Sequence, residues 1–199
     1  GLQKFFEEEF GKKGGSIVAT EAYLQKDTDF KAALTKIKAA NPDVIYVPGY
    51  YQEVGMIIKQ AREMGMTQPI VGGDGWDSTK LAEIAGAANL VDCYFSNHYS
   101  SDDTSEVVQN FVSNYQKAYG QKPDAPAAVA YDSMMILAQA IKDANSTDKD
   151  TVKAALEKIS GFNAVSGKIS FNEFHDPVKS AVVLSFKDGK QIFVTKVEP

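Results

Sequence analysis

Apolar residues recur at helical spacing from the first positions of the chain, where Leu2, Phe5, Phe6 and Phe10 fall on one stripe. Lys12-Lys13-Gly14-Gly15 then supplies cations and glycines where a helix should stop. Residues 16–23 follow as a predicted strand. Thr28 or Asp29 is placed to cap a helix carrying Phe30, Ala33, Leu34 and Ile37. Val44-Ile45-Tyr46-Val47 is a short continuous apolar run, the pattern of a strand covered on both faces. The helix after Tyr51 aligns Val54, Ile57, Ile58, Ala61 and Met64 and stops at Gly65. Pro69-Ile70-Val71 is the next strand. Asp77 or Ser78 can cap a helix over residues 79–85 with Gly86 beyond it, and residues 90–96 are another strand. This close alternation predicts an α/β fold with a parallel sheet and right-handed crossovers.

The rhythm breaks at the polar segment 96–103, and three helices follow with no strand between them. The first carries Val108, Phe111, Val112, Tyr115 and Tyr119, with Pro123 and Pro126 at its exit. The second, residues 127–144, is apolar nearly all round and is expected to be buried. The third has Val152, Ala155, Leu156 and Ile159 in step. Short strands close the chain at residues 167–171, 180–186 and 191–197, the last two joined across Asp188-Gly189. A helical segment set between sheet-forming segments predicts a second lobe that the chain enters and leaves. The chain opens inside a helix without the strand that normally precedes one in βαβ order. With neither a basic nor an apolar leader region there, the start reads as a fragment or processed product lacking its N-terminal part, not as a signal peptide.

Composition narrows the function classes. At 199 residues, 44% hydrophobic and 24% charged, the chain has the make-up of a soluble globular protein. A net charge of −5 without a Lys/Arg run disfavours a nucleic-acid surface. No apolar stretch approaches the roughly 20 residues that span a bilayer. The single cysteine, Cys93, excludes an intramolecular disulfide framework and a Cys-rich zinc site, and its strand setting reads as a small buried hydrophobe.

The chemistry gathers at two strand ends, residues 42–51 and 69–77. Each is an apolar run that stops at glycine, shows a polar or aromatic residue and opens a helix. Ligands of parallel α/β sheets sit outside the carboxyl ends of strands, which makes Tyr50 and Asp74 expected neighbours on one mouth. A carboxylate beside an aromatic ring suits a small molecule carrying an ammonium group. The competing reading of Asp74 is an Asx-turn residue between glycines, and Tyr51 competes with Tyr50 for the mouth. Trp76, two residues past Asp74, can wall the cleft, supply cation–π attraction or simply pack between lobes. Gly49, Gly73 and Gly75 permit tight turns and close approach. Gly72-Gly73-Asp74-Gly75 is neither a Walker A nor a GxGxxG pattern. His98 and His175 lack ligand-spaced companions, so no metal is expected. Asp102-Asp103 and residues 148–150 read as helix N-terminal acids. No nucleophile, acid/base pair or cofactor fingerprint appears, so no cofactor and no enzymatic activity are expected.

With Tyr50 and Asp74 at this spacing, residues 29–38, 43–65, 72–85, 131–140 and 167–183 together resemble the leucine/isoleucine/valine-type periplasmic binding proteins. These are substrate-binding components of amino-acid ABC transporters with the two-lobed type I fold. The resemblance implies ligand held between lobes joined by three crossovers. It implies that residues 1–98 form the C-terminal lobe without its first strand, 99–102 a hinge crossover, 103–179 part of the N-terminal lobe, and 180–199 the return. Asp74, where many relatives carry the longer Glu, would hold the ligand's α-ammonium with Tyr50, Trp76, Gly49 and Gly75 around it. Asn97, His98 and Tyr99 would form the hinge. The implied ligand is a small aliphatic amino acid, and the implied partner is an ABC permease. The implied location is outside the cytoplasm, periplasmic or as a cell-surface lipoprotein. The absent first strand is central in the implied sheet, so two strands should lose partners unless a separate chain supplies it or the chain was clipped after folding. A sensing domain of the same fold and an α/β enzyme remain the alternatives.

Overall fold

The computed structural model describes residues 1–199. Helix α1 (Leu2–Lys12) forms over the predicted stripe, yet none of its residues is buried. Leu2 and Phe5 are more than half exposed, while Phe6 stacks on Phe10 and on Tyr46, the latter with ring centroids 4.0 Å apart. Residues 16–23, expected as a strand, form none. Strandedness needs a neighbour to bond, and the sheet begins at β1 (Ile45–Val47), an edge that pairs only with the next strand. Ile17 and Val18 are accordingly left exposed.

Helix α2 (Lys31–Ala39) buries Leu34, with Phe30 buried at its N-cap. That N-cap has no side-chain cap, a correction to Thr28 or Asp29 in that role; Asp29 instead accepts the Lys31 N–H, two residues on, at 3.1 Å. From β1 the chain alternates as expected through α3 (Tyr51–Glu63), β2 (Ile70–Gly72), α4 (Thr79–Ala85) and β3 (Cys93–Asn97). The three strands are parallel, with Ile45 opposite Ile70 and Ile70 opposite Cys93. Val54, Ile57, Ile58 and Ala61 of α3 are buried on one stripe, and Ser78 caps α4 by accepting from the Lys80 N–H at 3.2 Å. β3 starts three residues late because residues 87–89 form a 3₁₀ turn. Arg62 pins the turns after α3 and α4 to one cation, donating to the Met66, Gln68 and Val91 carbonyls at 2.8 Å each.

Then come α5 (Glu106–Tyr119), α6 (Ala125–Ala144) and α7 (Lys149–Leu156), with Asp124 and Asp148 capping the last two. Strands β4 (Phe162–Ala164), β5 (Gly167–Phe171) and β6 (Pro177–Val178) form a small antiparallel sheet, of which only β5 was expected. β7 (Ala181–Lys187) and β8 (Lys190–Val197) complete the main sheet in the order β1-β2-β3-β7-β8. Asp188 and Gly189 between them have φ of 52° and 73°, the paired positive values of a tight hairpin turn.

The chain divides into two units, residues 1–96 with 184–192 and residues 97–183 with 193–199. The boundaries fall at 96/97, within β7 and within β8, not at the expected 98, 102 and 179. Residues 193–199 fall in the second unit, not the first, where the expected return to the C-terminal lobe had placed them. In the first unit Trp76, Phe95, Ile58, Met66 and Ile70 are fully buried. The second has two apolar cores, one around Tyr99, Phe111 and Ala128, the other around Ile136, Val152 and Ile169. Helix α6 serves both through a single face, Ala128, Asp132, Ile136 and Ala140, whereas Tyr131, Met134, Leu137 and Ile141 are exposed. The expected all-round burial of this helix is therefore corrected: one side packs on α7 and β4 and the other faces solvent.

Candidate functional site

Parallel pairing places Val47 opposite Gly72, so the turns that leave β1 and β2 start at the same end of the sheet. Tyr50 is the N-cap of α3, in extended conformation and 66% exposed; Tyr51, the first helical residue, is half-buried. Asp74 opens a 3₁₀ turn over Asp74–Trp76 and is exposed. The two turns touch through backbone. A Cβ on Gly75 would lie 2.6 Å from the Gly49 carbonyl oxygen and 3.2 Å from Cδ1 of Tyr50. Only glycine permits that approach, and it brings the Tyr50 and Asp74 turns together as the strand order required.

Two phenols join this cluster without having been singled out in the sequence. Tyr46, the middle residue of β1, has its acidity weakened by burial and then by the Asp74 charge. Tyr23 stands against Gly49, packs edge-on to Phe30, and is likewise pushed up by burial and then by Glu53. Glu53, 5% exposed, accepts the Lys26 N–H at 2.8 Å and so fixes the segment that carries Tyr23. The only signal for Tyr46 was its place as the one polar-tipped residue in an apolar strand. Of the two carboxylates here Glu53 is buried and bonded to backbone, which leaves Asp74 as the exposed one, beside phenols whose ionisation burial opposes, a setting that attracts a cation.

Trp76 is fully buried. Its indole N–H donates to the Val47 carbonyl at 3.0 Å, its ring lies 6.0 Å from that of Phe95, and a Cβ on Gly72 would run into it. The ring thus packs beneath the two turns within its own unit, which corrects the reading of Trp76 as an open wall or cation–π partner.

The expected hinge residues are anchored in the second unit. Asn97, 3% exposed, accepts the His98 N–H on Oδ1 at 2.8 Å, and the buried Tyr99 hydroxyl donates to the Pro123 carbonyl at 3.1 Å. Cys93 is buried as expected, and desolvation pushes its thiol up from 9.0 to about 11 despite the nearby Arg62 cation. The neutral thiol therefore contributes fully to stability below pH 9, and this contribution is lost as pH rises towards 11, in total roughly 2–3 kcal/mol. Native protein at pH 8 is expected to resist a thiol reagent that labels the urea-unfolded chain at once; equal labelling rates would overturn the burial.

Residues 1–191 match the family described as periplasmic binding protein. Among curated proteins, the Leu/Ile/Val-binding protein homolog 1 of Brucella suis biovar 1 (strain 1330) is 33% identical over 174 residues, covering 84% of this chain and 46% of that protein. Homolog 3 of Brucella melitensis biotype 1 is 28% identical over 192 residues, covering 96% of this chain and 51% of its own. Among solved structures, a leucine binding protein LivK from Thermotoga maritima MSB8 superposes with a TM-score of 0.93 at 37% identity, covering all of this chain and 57% of that one. The branched-chain amino acid transporter substrate binding protein LivJ from Streptococcus pneumoniae, solved in complex with isoleucine, gives 0.86 at 37% identity over 98% of this chain and 56% of its own. The chain spans about half the length of the curated relatives it matches.

Proposed function

The chain belongs to the periplasmic binding protein family, type I fold, and from that membership we propose that it forms part of a solute-binding protein for a small aliphatic amino acid. The observation that carries this reading is the close approach of Gly75 to the Gly49 backbone and the Tyr50 ring, which sets the turn of an exposed carboxylate beside that of an exposed phenol at one end of a parallel sheet. Asp74 takes the ligand's ammonium group and Tyr50 packs on or bonds to the same end of the ligand. The carboxylate and side chain of the amino acid are met by the half of family members that residues 1–199 do not span. Binding draws the lobes together about crossovers that include Asn97, His98 and Tyr99, and the closed form is what an ABC permease accepts outside the cytoplasm. No helix here is long and apolar enough to cross a membrane.

A thermal-shift panel on the complete protein tests the reading. L-leucine, L-isoleucine or L-valine at 100 times its dissociation constant is expected to add about 2.7 kcal/mol of apparent stability. Benzoate, which has no ammonium group, is expected to add none. Failure of every amino acid to shift the melting point would refute the assignment.

A further inference from the structure

Two of the three places where the chain passes between its units are fastened to one ammonium group. Lys179 donates from Nζ to the His98 carbonyl at 3.2 Å and to the Ser180 carbonyl at 2.9 Å, bridging segments 81 residues apart in sequence. His98 follows the first passage at 96/97, and Ser180 immediately precedes β7, within which the second passage falls. Both segments are otherwise packed: Asn97, Tyr99, Ser100 and Ser180 are all buried. Asp132 on α6, itself 3% exposed, accepts the Val165 and Ser166 N–H groups at 2.8 Å each; burial, and then the Lys196 charge, lower the Lys179 pKa, and the Asp132 charge offsets part of that. A half-buried ammonium aimed at two carbonyls makes charge-assisted bonds, stronger than neutral ones. An apolar side chain of similar length would leave both carbonyls without that partner. A Cβ on Gly167 would lie 2.7 Å from Ser180 Oγ, so the β4–β5 turn that Asp132 holds also lies against the second segment.

We propose that Lys179 is a positioning residue that locks the first crossover to the second, so that the two turn as one body. The consequence for solute capture rests on the function proposed above; the lock itself does not.

Amide hydrogen exchange on the ligand-free complete protein tests the lock. Lys179→Met is expected to raise exchange about tenfold in both segment 97–103 and segment 178–183, while α4 keeps its rate. Lys179→Arg, which retains the cation and its donors, is expected to return both segments close to their original rates. A rise in one segment alone, in neither, or equally in α4 overturns the proposal, the last by making Lys179 a general stability residue. Lys179→Ala, which also removes the donors, is scored by the same criteria if the methionine variant fails to fold. An amino-acid panel without any thermal shift would remove the solute reading and leave the exchange result standing.

Discussion

Asp74→Ala is expected to remove from about two thirds to all of the thermal shift that an aliphatic amino acid produces. The carboxylate is exposed at the mouth of β1 and β2, close enough to the Tyr46 phenol for its charge to weaken that group's acidity. Once a ligand ammonium covers it, the pair is desolvated and the attraction rises as the local dielectric falls. Truncating one member of such a pair costs about 2–5 kcal/mol, because the other charge is left buried without a partner. In dissociation constant that is a loss of roughly 30-fold to several thousand-fold. Asp74→Glu, one methylene longer, is expected to retain most of the shift. The melting point without ligand serves as the control for folding. Titration calorimetry giving the alanine variant unaltered affinity would remove the salt bridge from the mechanism.

The parts of this molecule that were legible in the sequence are those whose determinants are local. Between Ile45 and Asn97 the switch from continuous apolar runs to helical spacing is unbroken, and Gly49, Gly65 and Gly86 punctuate it. Parallel order then follows from chain direction, and with it the meeting of the Tyr50 and Asp74 turns. Residues 16–23 failed as a strand because pattern cannot supply the neighbour that a ladder needs. Helix α6 failed differently: its composition announces two apolar faces, but only tertiary packing decides which of them meets protein. Strands β4 and β6 are three and two residues long, and β6 begins at Pro177, so neither has a pattern of its own. The direction of Trp76 was hidden because it depends on the missing Cβ of Gly72 and on the Val47 carbonyl across the sheet. The role of Tyr46 was hidden for a related reason. Which way its side chain is turned depends on what packs against it, here Phe6, stacked on the Tyr46 ring from a helix with no fully buried residue.

Trp76→Ala is expected to lower the free energy of unfolding by about 3–5 kcal/mol, the usual cost of removing a large aromatic side chain from a packed interior. The Val47 carbonyl loses its indole donor at the same time, worth roughly a further 1 kcal/mol. Set against a total stability of about 5–15 kcal/mol for a domain, this endangers the first unit as a whole. Urea unfolding followed by far-UV circular dichroism should show a lower midpoint with an unchanged slope. Trp76→Phe separates packing from recognition. Phenylalanine keeps a ring over Gly72 and beside Phe95 but cannot donate to Val47, so a loss of about 1–2 kcal/mol is expected. The indole lies beneath the turns that present Tyr50 and Asp74 and has no exposed surface, so the phenylalanine variant should hold amino-acid affinity within about threefold, under 1 kcal/mol. A tenfold loss of affinity in that variant, at unaltered stability, would place the indole against the solute instead of under the floor of its site.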